Sequence, residues 1–499
     1  MSAEPQDAGE AALELARRAR RIAGDDALAL VTRERSLLLR FAANRPTQAT
    51  AIDDTSVELA VACRGYVGRA STNALDDASL ERCARRAHGA ADVAAATGRG
   101  GFPGFAPESP PGSHARGPHA PAGASAPSPP AGFDPATAQL DPRAGAAELE
   151  RAFAVARASG VEAHGIWTAA EQRRAWAGAA GAAREQTTDA FMKVICIAPD
   201  GRSGYAAEAA RAAPQLDGAA LAVEASARTG AVAGAAEAQP EADAPWALTV
   251  ARAAAGGAPA ELAPGEYDVV FDADAVGCLL DLLAGSAFDG LAHVEGRGAL
   301  SERLGSQVAA PAINLADTPR HPLTLPHSFD AEGTAKRPLP LIEDGVARRV
   351  AHDLRSAALA GEPSTGHALT PGGGPHGALP TNLVLAGGGA AGLAELCAPV
   401  DRGIYITRLW YANVIRPKET LATAVTRDGT FLIVGGKLTR PLRDLRLTDR
   451  VLGILARVQA LGREQKLASD GEFYGRRFAY GVVCPALRAE RVRFTGAAG

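Results

Sequence analysis

Metal or nucleophilic chemistry in this 499-residue chain has to draw on ten histidines and six cysteines. A zinc peptidase places two histidines and a glutamate on one helix, because the ligands polarise a water and the carboxylate moves its proton. No histidine here begins an HExxH or HExxxH, so that arrangement is absent from the sequence. Asp281 with His293 and Glu295, and His321 with His327, can be drawn as weak metal clusters. Neither has helical ligand spacing, and both read better as surface or hydrogen-bonded residues. His114 and His119 fall in Pro-rich sequence, where single histidines are solvated. GGGAAG (387–392) matches GxGxxG after a strand, but the helix that follows is very short and the next strand does not end in the acidic residue that would bind a ribose. A plain strand-to-helix loop is the better reading. No GxSxG, SxxK, Walker A or EF-hand pattern offers another chemistry.

The cysteines (Cys63, Cys83, Cys196, Cys278, Cys397 and Cys484) are far apart with no CxxC pair, which fits a reducing compartment rather than a disulfide framework. A net charge of -4 gives no electrostatic reason to expect nucleic acid as a partner. The opening MSAEPQDAGE lacks a basic and an apolar signal region, and no apolar stretch is long enough to span a bilayer. A cytoplasmic chain with no membrane partner is expected.

The elements that would position a site follow from periodicity. Residues 1–96 read as an N-terminal α/β unit: an amphipathic helix over 11–23, short strands at 27–31 and 37–42, alternation at 57–63, and a helix capped by Asp76 or Asp77. Residues 97–136 are dominated by Pro, Gly, Ala and Ser and cannot repay their ordering entropy, so a flexible insert is expected. Residues 137–262 resume with Asp141-Pro142, a cap and first-turn proline, then strands at 161–168 and 191–198 and Ala-rich helix. Residues 263–499 form a β-rich domain: a strand leading into a helix through Asp272 or Asp274, a hairpin at Asp344-Gly345, a short helix over 353–361, and a β-meander over 403–447 with turns at Asp428-Gly429 and Gly435-Gly436. Thr448 is placed as the cap of a helix carrying Val451, Leu455 and Val458 that stops at Gly462. The fold class is α+β.

The stretch RGIYITRLWYANVIRPKETLATAVTRDGTFLIVGGKLTRPLRDLRL (402–447) resembles the C-terminal signature of the TldD/PmbA family, the "modulator of gyrase" type metalloproteases. LIEDGV (341–346), PSTGH (363–367), PTNLVL (380–385), RFAANRPTQ (40–48) and GRASTNALDD (68–77) continue the resemblance in family order. It implies a two-subunit zinc metalloprotease in which TldD-like chains carry HExxxH and a C-terminal cysteine. Aligned on that motif, Asp281, Leu282 and Ser286 stand here at its His, Glu and His positions. Leucine cannot act as a general base, and one Asp with one Ser makes a poor zinc site. Cys484, placed just before the last strand, reads as a small buried thiol. The resemblance therefore implies a PmbA/TldE-like subunit with no catalytic residue or metal of its own, zinc in a TldD-like partner, and a peptide substrate. Arg408, Asn413, Arg427 and Asp428 in the strongest signature are the substrate candidates, with a buried or turn-fixing ion pair as their structural alternative. An active peptidase with a divergent metal site, or a stand-alone peptide- or nucleotide-binding protein, are the other readings.

Overall fold

A computed structural model describes residues 5–98, 101–105, 132–231, 246–374, 377–469 and 477–497. Most of the expected flexible insert, with His114 and His119, lies outside the described residues, as does His376.

The first sheet joins β1 (Ala27–Ala42), β2 (Arg45–Cys63), β3 (Tyr66–Thr72), β4 (Glu162–Gly178), β5 (Gly181–Ile197) and β6 (Ser203–Ala210) in the order β3-β2-β1-β4-β5-β6, all antiparallel. Four of these strands, β1, β2, β4 and β5, are longer than periodicity alone indicates. β1 continues through Thr32, Glu34 and Ser36, which separate the two apolar runs yet are themselves buried. β4 and β5 likewise continue past the expected ends through 169–190. Odd-numbered positions of β1 and β4, such as Val31, Leu37, Trp167 and Ala175, meet the helices α1 (Pro5–Ala23), α2 (Asp77–Thr97), α3 (Pro142–Ala158) and α4 (Gly218–Thr229). Small residues set the spacing of that layer. A Cβ on Gly68 would lie 2.0 Å from the Ala87 carbonyl oxygen, so α2 rests directly on β3. Asp76 and Asp141 cap α2 and α3 as expected.

The other face of this sheet has a polar centre flanked by apolar residues, and the second half of the chain covers it. Arg477 is 3% exposed. It pairs with Asp189, donates to Thr168 Oγ1 at 2.9 Å, and offers its backbone N–H to Glu34 at 3.1 Å. Gln172 donates to its carbonyl at 2.5 Å. Beside it Leu28, Leu30 and Trp176 pack on Phe329, Ala331 and Ala368.

The second sheet has eleven strands: β7 (Gly265–Phe271), β8 (Leu315–Asp317), β9 (Leu339–Glu343), β10 (Val346–Ala347), β11 (Leu383–Leu385), β12 (Arg402–Arg416), β13 (Leu421–Val434), β14 (Lys437–Pro441), β15 (Leu445–Arg450), β16 (Val458–Ala468) and β17 (Val482–Ala497). Five of them close on themselves. β7 pairs with β12, β12 with β13, β13 with β15, β15 with β17, and β17 with β7 again. The interior holds Val269, Ile404, Leu447, Leu487 and Phe494, all at most 2% exposed. Helices α5 (Trp246–Ala254), α6 (Ala273–Ala287), α7 (Gly290–Val294), α8 (Leu354–Ala360), α9 (Leu393–Cys397) and α10 (Val451–Ala456) surround it.

Three expectations within this sheet are corrected. Asp428 and Gly429 both have positive φ, 54° and 132°, but they form an irregularity inside β13 rather than a hairpin turn. The helix placed at Thr448 is only α10; Thr448 lies in β15, Val458 opens β16, and Gly462 is strand. Cys484 sits within β17, not before it. The hairpins at Asp344-Gly345 and Gly435-Gly436 stand as read, each with two left-handed residues.

Candidate functional site

The helix α6 sets the geometry of the site. Asp272 caps it, accepting from the Ala273 N–H at 2.8 Å. The same carboxylate accepts from Tyr405 Oη at 2.7 Å and from the Arg228 guanidinium at 3.0 Å, so α4 of the first sheet is tied to the start of α6. Val276, Leu279, Leu280 and Leu283 turn inward to the core shared with the closed strands. At about 2 kcal/mol per buried leucine, this stripe fixes the helix rotation. Asp274, Cys278, Asp281 and Leu282 are consequently left on a cleft of about 320 Å³.

The opposite wall of that cleft is β12 from Arg408 to Asn413. The N–H of Arg408 Nε donates to Asp428 at 2.8 Å, and a second guanidinium nitrogen reaches the same oxygen. Ser203 of β6 donates to the other Asp428 oxygen at 2.6 Å. The guanidinium carbon lies 4.1 Å from the ring centroid of Tyr205 and 5.0 Å from that of Trp410, within cation–π reach of both. Burial, with the Asp428 charge adding to it, pushes the nearby Asp444 carboxyl up to about 6.

The family-signature candidates thus separate. Arg408 and Asn413 line the cleft, Asp428 anchors Arg408 from behind, and Arg427 is exposed outside the lining. Asn413 donates to the Tyr411 carbonyl at 3.1 Å. Asp281 and Leu282 face the cleft. Ser286 is buried and returns its hydroxyl to the Leu282 carbonyl at 2.8 Å. Cys484 is buried under the start of α6, donating to the Ala273 carbonyl at 3.2 Å, and burial pushes its thiol pKa strongly upward. That donor set does not fit zinc: a half-buried leucine, an inward serine and a protonated thiol offer no ligand beyond Asp281. Among the described residues no three His, Cys, Asp or Glu side chains form a metal-ligating group, and this includes the combinations around His293 and His321. His321 Nδ1 accepts from the Leu323 N–H at 3.2 Å, and Glu295 pairs with Arg297.

The glycine loop at 387–392 uses its amides internally. The Gly388 N–H meets the Gly462 carbonyl at 2.8 Å and the Ala391 N–H meets the Glu395 carboxylate at 2.6 Å, so an acidic side chain stands where a phosphate would.

Three features of the cleft were not singled out by sequence reasoning. Asp274 lies on it while bonded to Lys466 at 2.9 Å. Burial raises the Asp274 pKa despite that lysine. Tyr411 has φ 47° and is 71% exposed, a conformation costing about 1 to 2 kcal/mol for a non-glycine residue. Beyond Ile406 β12 has, among the described residues, no strand partner on its β7 side, which leaves main-chain groups along the cleft wall. The Trp-Tyr doublet was the available signal, since adjacent large aromatics break the alternation of a half-buried strand.

A second buried cluster joins segments that the sequence singled out separately. Asp317 of β8 lies 3.5 Å from Lys336 Nζ and 3.3 Å from His367 Nε2, and its other oxygen accepts from the Asn382 N–H at 2.8 Å. Lys336 also donates to Thr381 at 2.9 Å. PSTGH and PTNLVL are thus fastened to β8.

Known proteins were compared with this chain. The PmbA/TldA metallopeptidase C-terminal domain matches residues 264–496, and PmbA/TldA metallopeptidase domain 1 matches residues 27–91. A metalloprotease of Methanothermobacter thermautotrophicus is 24% identical over 203 residues, 41% of this chain and 44% of that protein. A metalloprotease TldD homolog of Buchnera aphidicola is 24% identical over 250 residues, 47% of this chain and 49% of that protein. The chain thus matches just under half the length of these relatives. Among solved structures, TldE from Thermococcus kodakarensis has a TM-score of 0.74 at 18% identity, covering 97% of this chain and 99% of its own. A protein described as a modulator of a DNA gyrase from Thermotoga maritima has the same score at 19% identity, with the same coverage. These likenesses concern the fold. Among the described residues, no helix is long and apolar enough to cross a membrane.

Proposed function

The chain belongs to the PmbA/TldD family, and on that premise we propose that it is a TldE-like subunit without catalytic groups of its own, working in the cytoplasm beside a TldD-like chain in a metallopeptidase of unfolded or small peptides. What supports this reading is Leu282, which lies on the cleft-facing side of α6 and which the family resemblance aligns with the general base. A hydrocarbon side chain there can neither take nor return a proton. Zinc, water and base would come from the partner.

This chain would supply part of the substrate wall. The strand edge of β12 beyond Ile406 presents N–H and C=O groups to which an extended peptide can add as a further strand, a mode that selects for unfolded chain with little demand on sequence. Arg408, held by Asp428, Tyr205 and Trp410, would keep that wall rigid.

The test is co-purification with a TldD-like chain from the same organism, with zinc content and peptidase activity measured for each chain alone and for the mixture. Zinc in the partner alone, with activity that needs both chains, is the expected result. Stoichiometric zinc and activity in this chain by itself would overturn the proposal.

A further inference from the structure

The three charged residues that line the cleft between α6 and β12 are each engaged within the chain. Asp274 is ion-paired with Lys466 at 2.9 Å, Arg408 is held by Asp428, and Asp281 has an interaction of its own. A charged group entering from outside would shed its water and meet no unmatched counter-charge, so it gains nothing there. Much of the remaining lining is apolar or aromatic. Leu282 stands on α6, Val482 opens β17, and Trp410, Tyr411 and Tyr480 contribute rings. Both tyrosines are exposed, so apolar surface faces the cleft without being covered by the described residues.

The β12 wall is aromatic for an identifiable reason. In a regular strand Trp410 and Tyr411 would point to opposite sides of the sheet. Here the register with β13 shifts between Trp410 and Asn413, and Tyr411 takes φ 47°, the only left-handed aromatic among the described residues. That irregularity brings two consecutive rings onto one cleft, 5.6 Å apart between centroids and at 73° to each other. This is the edge-to-face arrangement, which a third ring can extend.

Resting on the peptide-binding reading above, we propose that the cleft is a subsite for an aromatic side chain of an extended peptide. The ring packs between Leu282 on one wall and Trp410 and Tyr411 on the other. The peptide backbone runs along the open edge of β12, and the cleft takes one side chain from it. Charged side chains are turned away because the charges around the cleft already satisfy one another.

The experiment measures, by titration calorimetry, binding of four unlabelled, unstructured peptides to the full chain, identical except for a central phenylalanine, alanine, lysine or glutamate. The phenylalanine peptide is expected to bind about tenfold tighter than the other three, and with a more negative heat-capacity change than the alanine peptide. Tyr411→Asn should weaken phenylalanine binding about tenfold. Asn suits the left-handed backbone at 411. Leu282→Asp puts an unmatched carboxylate on the opposite wall and should make the lysine peptide bind tighter than the phenylalanine peptide. A thermal melt of each variant verifies that it is folded. Native preference for phenylalanine retained in both folded variants overturns the proposed location. Equal binding of all four peptides by the native chain, or tightest binding of the lysine peptide, overturns the aromatic subsite and leaves the peptide-binding reading standing. No binding of any peptide, by the chain alone or in the co-purified complex, overturns both.

Discussion

Arg408 and Asp428 meet across the β12–β13 pair at the first of its three register shifts, where the ion pair stands in place of ladder hydrogen bonds. Asp428 also takes Ser203 from β6, which makes this bond a junction between the two sheets. Asp428→Ala leaves a buried guanidinium without its partner. The expected cost is about 3 to 5 kcal/mol in urea unfolding. Arg408→Lys should lose less, since it keeps the charge but not the forked geometry. A loss below 1 kcal/mol for Asp428→Ala would mean that the pair is solvent-screened.

Arg477→Ala removes the side chain that joins Asp189 and Thr168 to the second half of the chain. A destabilisation of about 3 to 5 kcal/mol is expected from stranding Asp189. Because the contact joins the first sheet to the segment that leads into β17, the variant should also unfold less cooperatively, visible as separate transitions by tryptophan fluorescence and far-UV circular dichroism.

Asp444 provides a pH test. Its carboxyl is raised to about 6 by burial and the Asp428 charge, from an ordinary value of 3.8. A raised folded-state value means that the protonated form contributes stability fully below pH 3.8, and that this contribution is lost as pH rises through about 6. Asp444→Asn should therefore raise stability at pH 8 by about 1 kcal/mol after allowing for partial exposure, seen as a higher melting temperature, and change it little at pH 4. Equal effects at both pH values would count against the shift.

Installing the missing motif should not create a zinc peptidase. In a chain carrying Asp281→His, Leu282→Glu and Ser286→His, the last imidazole would enter the packed side of α6, where Ser286 is 5% exposed, and overpacking there costs about 1 to 3 kcal/mol. Elemental analysis should find less than stoichiometric zinc. Full loading with unchanged stability would show that α6 can turn.

What could be read from the sequence was local. Asp76, Asp141 and Asp272 each cap the helix they precede, because a cap needs only a side chain and the next turn of backbone. The strand interior at Thr32, Glu34 and Ser36 was not legible as strand, since its polar side chains are buried and Glu34 meets Arg477 from more than 400 residues away. Asp428-Gly429 has the chemistry of a turn, but the left-handed pair is used as a kink within one strand. The same distinction hides the site. Asp281 and Leu282 are identified by resemblance, whereas bringing Trp410 and Tyr411 onto one side depends on a backbone angle that no residue type at 411 announces.

The ring of five strands also has a direction in time. β7 cannot close it until β17, some 200 residues later in the chain, has been made. During synthesis the first sheet can complete its helical layer early, while its second face waits, the polar part with Glu34, Gln172 and Asp189 for Arg477 and the apolar part with Leu28, Leu30 and Trp176 for Phe329. A hydrophobic face in that position would invite misassociation on the ribosome. The charged part of that face can therefore stay hydrated longer than its apolar part before the second half arrives.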